Sequence, residues 1–161
     1  MFLPKYIFRE LTDISPEFLQ KRGIDLLLMD FDNTMLPYTT DEPTERLLHW
    51  IRDMEFGGIQ LCIVSNSKRS RVPNFSLKYN IPCETHANKP GRGGIRRAMG
   101  RYEHTAVAMV GDQIFTDILG ANRSRITSIL VKPINNHNIW LRLRHVLEQP
   151  FILISKKRRI T

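Results

Sequence analysis

A chain of 161 residues, 42% hydrophobic and 25% charged, is long enough for one domain with its own core and too apolar for a disordered chain. No window is long and apolar enough to predict a membrane-spanning helix, and the first residues lack a signal-peptide core, so we expect a cytoplasmic protein. The net charge of +8 favours anionic partners, such as phosphorylated substrates, nucleic acid or an anionic membrane. Cys62 and Cys83 are too far apart for a CxxC motif, which favours reduced thiols.

The run 24–29 is short, apolar and unbroken, which predicts a strand covered on both faces in a parallel sheet. Asp30-Phe31-Asp32-Asn33-Thr34 follows it directly. Because strand side chains alternate, Asp30 and Asp32 share one side if the extended conformation continues, and Phe31 points into packing. Functional groups of parallel sheets lie beyond the carboxyl ends of the strands. The sequence therefore predicts a paired acidic site.

Helix and strand signals then alternate. Cap-forming, proline and acidic residues at 40–45 mark the start of a helix with one apolar face, which ends at Gly57-Gly58. Residues 59–64 predict a second buried strand that delivers Ser65 and Asn66 at its carboxyl end. Residues 68–80 predict a less regular helix, with Pro73 in its first turn or interrupting it.

The second half of the chain continues the pattern. Residues 105–110 predict a third strong strand, which is followed by Gly111-Asp112 and, five residues later, Asp117. Thr116 or Asp117 is expected to cap a helix that runs through about Arg123. The other predicted elements are a short strand at 81–85, a loop at 89–94, a helix at about 95–101, a strand at 127–131 and a helix at 137–147.

This alternation predicts an α/β fold, a three-layer α/β/α sandwich around a mainly parallel sheet. We expect a single domain over 1–161, with a core over about 20–148 and a basic tail over about 155–161. The intervals between Asp32 and Ser65 and between Ser65 and Lys89 have room only for core elements. No cap domain is expected.

Four loops at one sheet edge thus carry polar side chains, namely Asp30 and Asp32, Ser65 and Asn66, Lys89, and Asp112 with Asp117. Hydrolysis of a phosphate monoester needs a nucleophile, an acid for the leaving oxygen and positive charge around the phosphoryl group, and these residues supply each type. Two alternatives fit the acidic pair alone. A calcium loop is disfavoured because Met35 takes the place of its glycine, and a nucleotide-sugar metal site leaves Lys89 and Asp112 unexplained.

The combined motifs resemble those of the haloacid dehalogenase-like (HAD) superfamily of phosphatases. The matching motifs are DFDNT at Asp30, IVSNS with Ser65, the Lys89-Pro90 pair, and GDQIFTD with Asp112 and Asp117, in this order within residues 24–131. The chain is most similar to the YqeG family of subfamily IIIA, which is related to mitochondrial phosphatidylglycerophosphatases. The resemblance implies a Rossmann-like core and a Mg²⁺-dependent phosphomonoester hydrolase that acts through an aspartyl-phosphate intermediate.

The resemblance also implies a role for each site residue. Asp30 is the expected nucleophile, and Asp32 is the expected acid that protonates the leaving alkoxide and the base that later activates water. The expected phosphate-binding residues are Ser65, Asn66 and Lys89. The expected Mg²⁺ ligands are Asp30, the Asp32 backbone carbonyl and Asp112, with Asp117 in support.

A site without a cap implies either a bulky substrate, such as phosphatidylglycerophosphate, or a partner subunit that covers the opening. Apolar and basic residues at 2–9 and 151–159 predict peripheral contact with the inner face of an anionic membrane. The alternative is an N-terminus packed on the core and a solvated tail. Two other functions stay open: a phosphatase of phosphorylated nucleic acid or protein, and a basic RNA- or ribosome-binding module with a vestigial site. The sequence predicts no particular oligomeric state.

Overall fold

A computed structural model of the chain describes residues 2–135. Its strands are β1 (Tyr6–Ile7), β2 (Ile24–Met29), β3 (Gln60–Val64), β4 (Cys83–Glu84), β5 (Ala106–Gly111) and β6 (Thr127–Leu130). All strand pairs of this sheet are parallel, and the strand order is β1-β6-β5-β2-β3-β4. The predicted α/β fold with a parallel sheet is confirmed.

Helices cover both faces of the sheet. The α-helices of residues 2–135 are α1 (Pro16–Gln20), α2 (Glu45–Phe56), α3 (Arg71–Tyr79), α4 (Gly93–Met99) and α5 (Leu119–Arg123), with a 3₁₀ turn at Leu11–Asp13 and a π-helix at Ile114–Ile118. Thr44 caps α2 by accepting a hydrogen bond from the Leu47 amide, and Gly57 ends it, as the sequence predicts. Pro73 lies in the first turn of α3, where its missing N–H breaks no helical hydrogen bond.

Alternating strand side chains form two separate cores. Alternate residues of β2, β3 and β5 pack with α2 and α3 on one face, and this core includes Leu27, Ile63, Val110, Trp50 and Phe75. The residues between them pack with α4 and α5 on the other face, and this core includes Leu28, Val64, Met109, Ile95 and Ala121. The sheet is therefore buried on both sides, which is why its strands have continuous apolar sequences.

The N-terminal segment belongs to the sheet, although it precedes the predicted core of about 20–148. Tyr6 of β1 lies opposite Ile129 of β6. The rings of Tyr6 and Phe8 both pack edge-to-face on Phe18, with centroids 5.0 and 4.9 Å away. Burial of Tyr6 and packing of Phe8 favour the packed-terminus alternative over membrane contact by residues 2–9, whereas Ile7 is exposed.

Some predictions change and others lie outside the described residues. Thr116 and Asp117 do not cap a helix: both lie inside the π-helix, whose first flanking residue is Gln113. The predicted helix at 137–147 and the predicted membrane contact at 151–159 fall outside residues 2–135. Within residues 2–135, no helix has the length and hydropathy that crossing a membrane requires. No domain is inserted in the connections from β2 to α2 or from β3 to α3.

Candidate active site

A buried lysine joins the ends of three strands at the carboxyl edge of the sheet. Lys89, in the loop after β4, donates from Nζ to Asp30 Oδ1 at 2.6 Å and to Asp117 Oδ1 at 2.7 Å. The third bond goes to the backbone carbonyl of Val64, at 2.7 Å. The side chain is 1% exposed, so all three ammonium protons are used inside the protein. One cation thus holds β2, β3 and the segment after β5 together.

The turn after β2 brings the first acidic motif against the second. Thr34 Oγ1 lies 3.4 Å from Asp30 Oδ2 and 3.2 Å from Asp112 Oδ1, so its single proton is shared between two carboxylates. Asn33 adopts the left-handed conformation at φ 63°, which asparagine tolerates better than most residues. Its side-chain amide donates to the Asn135 carbonyl at 2.7 Å. The turn is therefore fixed to the segment after β6.

Asp117 depends on a glycine in the neighbouring strand. A Cβ atom on Gly111 would collide with the carboxylate of Asp117, so only glycine lets Asp117 pack against the end of β5. Asp117 Oδ1 accepts from Lys89 and Oδ2 accepts from the Gln113 amide at 3.1 Å. Both of its oxygens are occupied. The residue serves as a buried counter-charge for the lysine rather than as a helix cap.

The cluster carries more negative than positive charge. Asp30, Asp112 and Asp117 each offer a carboxylate oxygen within 4.8 Å of the others, and all three are buried. Burial raises the pKa of Asp30 to about 7, although the charge of Lys89 opposes this rise. Burial and the charge of Asp30 raise the pKa of Asp112 well above its usual range. Burial opposes the charged form of Lys89, but the charges of Asp117 and Asp30 outweigh it and raise the pKa of Lys89.

Lys89 therefore stays protonated, and three ionised carboxylates would leave two negative charges unmatched. Protons or a divalent cation can remove this excess. Hard oxygen ligands at this spacing suit Mg²⁺, which binds through one or two carboxylates and keeps several waters. Both oxygens of Asp117 accept from fixed donors, the Lys89 ammonium and the Gln113 amide. Asp30 Oδ2 and Asp112 Oδ1 instead share one hydroxyl proton of Thr34, at 3.4 and 3.2 Å, so Asp30 and Asp112 are the better ligands. The donor set fits the predicted metal.

The loop after β3 supports the lysine. Asn66 Nδ2 donates to the Lys89 carbonyl at 2.9 Å, and the Lys89 amide donates to Asn66 Oδ1 at 2.7 Å. This side chain thus binds and positions the lysine backbone, and the phosphate contact of Asn66 stays a prediction. Ser65 is buried at the end of β3, where its Oγ accepts from the Ser67 amide at 3.0 Å. Its hydroxyl proton is not used in that bond, which suits the predicted contact with a phosphoryl oxygen.

Asp32 stands apart from the buried cluster. Its side chain is 18% exposed, and its Oδ1 accepts from Nη1 of Arg71 at 2.6 Å. Burial raises the pKa of Asp32 above its usual value, although the charges of Arg71 and Arg69 oppose the rise. In the sequence, Arg71 lies in a basic cluster with Lys68 and Arg69. Nothing nearby marks its role, because its partner is 39 residues away. Its position in the first turn of the helix after the Ser65 loop is the one sequence signal that could have marked it.

The site combines a partly exposed carboxylate, Asp32, with a buried carboxylate, Asp30, whose negative charge is offset by Lys89. Asp30 and Lys89 are in direct contact, and Asp32 follows Asp30 by two residues at the same sheet edge. A carboxylate near a buried cation is suited to nucleophilic attack on an anionic group, because the cation offsets the charge repulsion. A partly exposed second carboxylate is suited to proton transfer.

Comparisons with known proteins point to a phosphatase. The probable phosphatase YqeG of Bacillus subtilis (strain 168) is 36% identical over 135 residues, which cover 83% of this chain and 78% of that protein. The family described as "HAD-hyrolase-like" matches residues 86–137.

Two solved structures share the fold. One is an uncharacterized protein from Listeria monocytogenes serotype 4b, with a TM-score of 0.55 and 16% identity over 72% of this chain and 84% of that one. The other is the cobalt-bound deoxy-D-mannose-octulosonate 8-phosphate phosphatase YrbI of Haemophilus influenzae, with a TM-score of 0.50 and 13% identity over 84% of this chain and 91% of that one. From the site motifs and the relationship to YqeG, the chain belongs to the haloacid dehalogenase-like superfamily of phosphatases.

Proposed function

We propose that this phosphatase is a Mg²⁺-dependent phosphomonoester hydrolase that forms an aspartyl-phosphate on Asp30. The observation that carries the proposal is the buried cluster in which Lys89 contacts Asp30 and Asp117 while Asp112 lies within ligand distance. With its three carboxylates ionised, the cluster lacks two positive charges, which one divalent cation would supply. A partly exposed carboxylate, Asp32, follows Asp30 by two residues. No other group of three potential metal ligands of this kind is found in residues 2–135.

In the first step, Asp30 attacks phosphorus: a bond forms between its carboxylate oxygen and phosphorus, and the ester oxygen leaves. Asp32 gives its proton to that leaving oxygen. In the second step, Asp32 takes a proton from water as the water attacks the phosphorus of the aspartyl-phosphate, which releases phosphate and restores Asp30. Lys89 holds Asp30 in place and offsets its charge, and Ser65 donates to a phosphoryl oxygen.

Mg²⁺ completes the charge balance in this proposal. Asp30 and Asp112 would hold it together with the backbone carbonyl of Asp32, and Asp117 would support the site through Lys89. When bound, the ion neutralises phosphoryl charge and thereby favours attack by an anionic nucleophile.

For the substrate we propose a bulky phosphomonoester such as phosphatidylglycerophosphate. The loops after β2 and β3 are short, and in residues 2–135 no inserted domain covers the site. The rim carries three exposed basic residues, Lys68, Arg69 and Arg92, next to the loops that hold Ser65 and Lys89. A basic rim favours a substrate with anionic groups beyond the phosphate that is removed.

The test is a substrate panel assayed with Mg²⁺ and with a chelator: phosphatidylglycerophosphate in mixed micelles, 3′- and 5′-phosphorylated oligonucleotides, phosphopeptides, sugar phosphates and an aryl phosphate. We expect Mg²⁺-dependent release of phosphate, with kcat/KM for the lipid at least about tenfold above the others, a difference of about 1.4 kcal/mol in transition-state binding. Equal and feeble rates on every substrate would refute the lipid assignment. Tight Mg²⁺ binding without any turnover would favour the RNA- or ribosome-binding module.

Replacing Asp32 with asparagine should slow the hydrolysis of alkyl phosphates much more than the attack of Asp30 on aryl phosphates. Alkyl phosphates need a protonated leaving oxygen, so we expect their hydrolysis to slow by about 10²–10⁴-fold. Aryl phosphates leave without that proton, so Asp30 should still attack them and release about one equivalent of phenol in a rapid burst, measured by stopped-flow absorbance. Equal losses on both ester classes, with no burst, would contradict the role of Asp32 as leaving-group acid.

A further inference from the structure

Arg71 is tied to the site more extensively than its place in a basic cluster suggests. Its side chain is 11% exposed, and every guanidinium nitrogen donates a hydrogen bond. Nη1 binds Asp32 Oδ1 at 2.6 Å and Nε binds Asp41 Oδ1 at 2.6 Å. Nη2 donates to the backbone carbonyls of Pro37 and Thr40, at 2.7 and 2.6 Å. One side chain therefore joins the start of α3, the acidic motif and the loop that follows it.

The guanidinium also has a fixed support on its apolar side. Its central carbon lies 5.1 Å from the ring centroid of Phe31, the residue between Asp30 and Asp32. Phe31 is fully buried and packs edge-to-face on Phe75 of α3, with the centroids 5.2 Å apart. A planar group with bonds at every nitrogen and an aromatic ring beside it has little freedom to move. The carboxylate that it holds is oriented by the core of the protein.

Only one oxygen of Asp32 is held by Arg71. Oδ1 accepts from Nη1, and the hydrogen bonds and ion pairs of residues 2–135 involve this oxygen of the Asp32 side chain and not Oδ2. A carboxylic acid bonded in this way can carry its proton on Oδ2 while Oδ1 continues to accept from the arginine. The bond therefore selects the oxygen that gives and receives the proton.

We propose that Arg71 is a positioning residue for leaving-group protonation, because it fixes Asp32 Oδ1 so that Oδ2 carries the transferred proton toward the leaving oxygen. The proposal rests on the role of Asp32 in the proposed function. Arg71 acts through Asp32 and does not touch the reacting atoms. It follows that a loss of Arg71 should affect substrates according to how much their leaving group needs a proton.

The test compares Arg71→Ala and Arg71→Lys on alkyl and aryl phosphates in the full chain with Mg²⁺. We expect kcat for alkyl phosphates to fall by about 10²-fold, which is the lower end of a typical general-acid contribution. The rate constant of the burst of aryl alcohol should change by less than about threefold. In an Asp32→Asn background, Arg71→Ala should have no further effect on alkyl phosphates, since both changes remove one function. Guanidinium ion at millimolar concentration should restore part of the alkyl rate in Arg71→Ala, and ammonium ion should not.

Asp41→Ala is the matched control, because it removes a different partner of Arg71 and leaves the bond to Asp32 in place. This variant should keep the wild-type ratio of alkyl to aryl rates. The inference is overturned if Arg71→Ala slows both ester classes equally, or if Asp41→Ala reproduces the selective loss. Arg71→Lys keeps the charge but lacks the guanidinium plane. If Arg71→Ala does not fold, a lowered ratio of alkyl to aryl rates in Arg71→Lys supports the inference, and an unchanged ratio overturns it. A wild-type protein that hydrolyses neither ester refutes the proposed function instead.

Discussion

Replacement of Asp30 with asparagine is expected to lower kcat on an aryl phosphate by at least about 10⁴-fold, the scale seen when a covalent nucleophile is removed. The amide has nearly the same shape but is a far weaker nucleophile, and it cannot form a stable acyl phosphate. The fold should persist, because Lys89 keeps its bonds to Asp117 and to the Val64 carbonyl. Release of aryl alcohol at saturating Mg²⁺ measures the loss, and circular dichroism checks the fold.

Asp25→Asn supplies the matched control, since Asp25 lies near the amino end of β2 and Asp30 follows its carboxyl end. Its carboxylate accepts from the amides of Thr105 and Ala106, so the change alters a structural contact and leaves the site intact. Acid-quenched wild-type enzyme should carry a phosphate label that hydroxylamine removes, and the Asp30 variant should carry none. Activity above about 1% of wild type in Asp30→Asn would show that the nucleophile is another group.

Replacement of Lys89 with methionine should cost about 3–5 kcal/mol of unfolding free energy at pH 8 without metal, because it leaves buried carboxylates without their cation. The loss should become smaller as pH falls. With the lysine present, the pKa of Asp30 is about 7, above its unfolded value, so this group favours folding at low pH and loses that contribution as pH rises through 7. Without the lysine, the pKa of Asp30 in the folded protein rises further. The unfolding free energy of the variant therefore falls more between pH 5.5 and pH 8 than that of the wild type. Urea unfolding of the variant and the wild type, in the presence of a chelator at both pH values, measures this loss of unfolding free energy.

Lys78→Met is the control for this change, because Lys78 is exposed and its nitrogen lies 3.4 Å from Glu42. Solvent screens an exposed pair of this kind, so we expect little loss of unfolding free energy and little change between the two pH values. A loss for Lys89→Met that is small or equal at pH 5.5 and pH 8 would show that the buried carboxylates are not ionised in the folded protein. That result would also remove the charge argument for the metal.

The parts of the fold that have a strong apolar pattern in the sequence were predictable. The runs that became β2, β3 and β5 are continuous apolar stretches, since both of their faces are buried. Their carboxyl ends face one edge because the strands are parallel, and for that reason Asp30, Ser65 and Asp112 could be assigned to one site without a structure. Local sequence was sufficient for strands that are buried on both faces and for the residues at their carboxyl ends.

The parts that depend on contacts distant in sequence were not predictable. β1 has two residues and no pattern of its own, and it is a strand only because β6 supplies its partner. Asp117 reads as a helix cap until the structure shows that Lys89 and a side-chain-free Gly111 place it in the interior. Arg71 reads as a solvated charge, because its partners Asp32 and Asp41 lie 39 and 30 residues away.

The pairing of β1 with β6 also affects how the chain folds during synthesis. The backbone amide of Lys5 donates to the Ser128 carbonyl at 3.0 Å, across 123 residues of sequence. β1 is therefore synthesised long before its partner β6, and loop closure over that distance is slow. Until β6 is available, Tyr6 and Phe8 are kept from solvent only by nearby residues such as Phe18. Until residues 127–130 have been synthesised, the backbone groups of β1 that pair with β6 are open to chaperones and to intermolecular strand pairing.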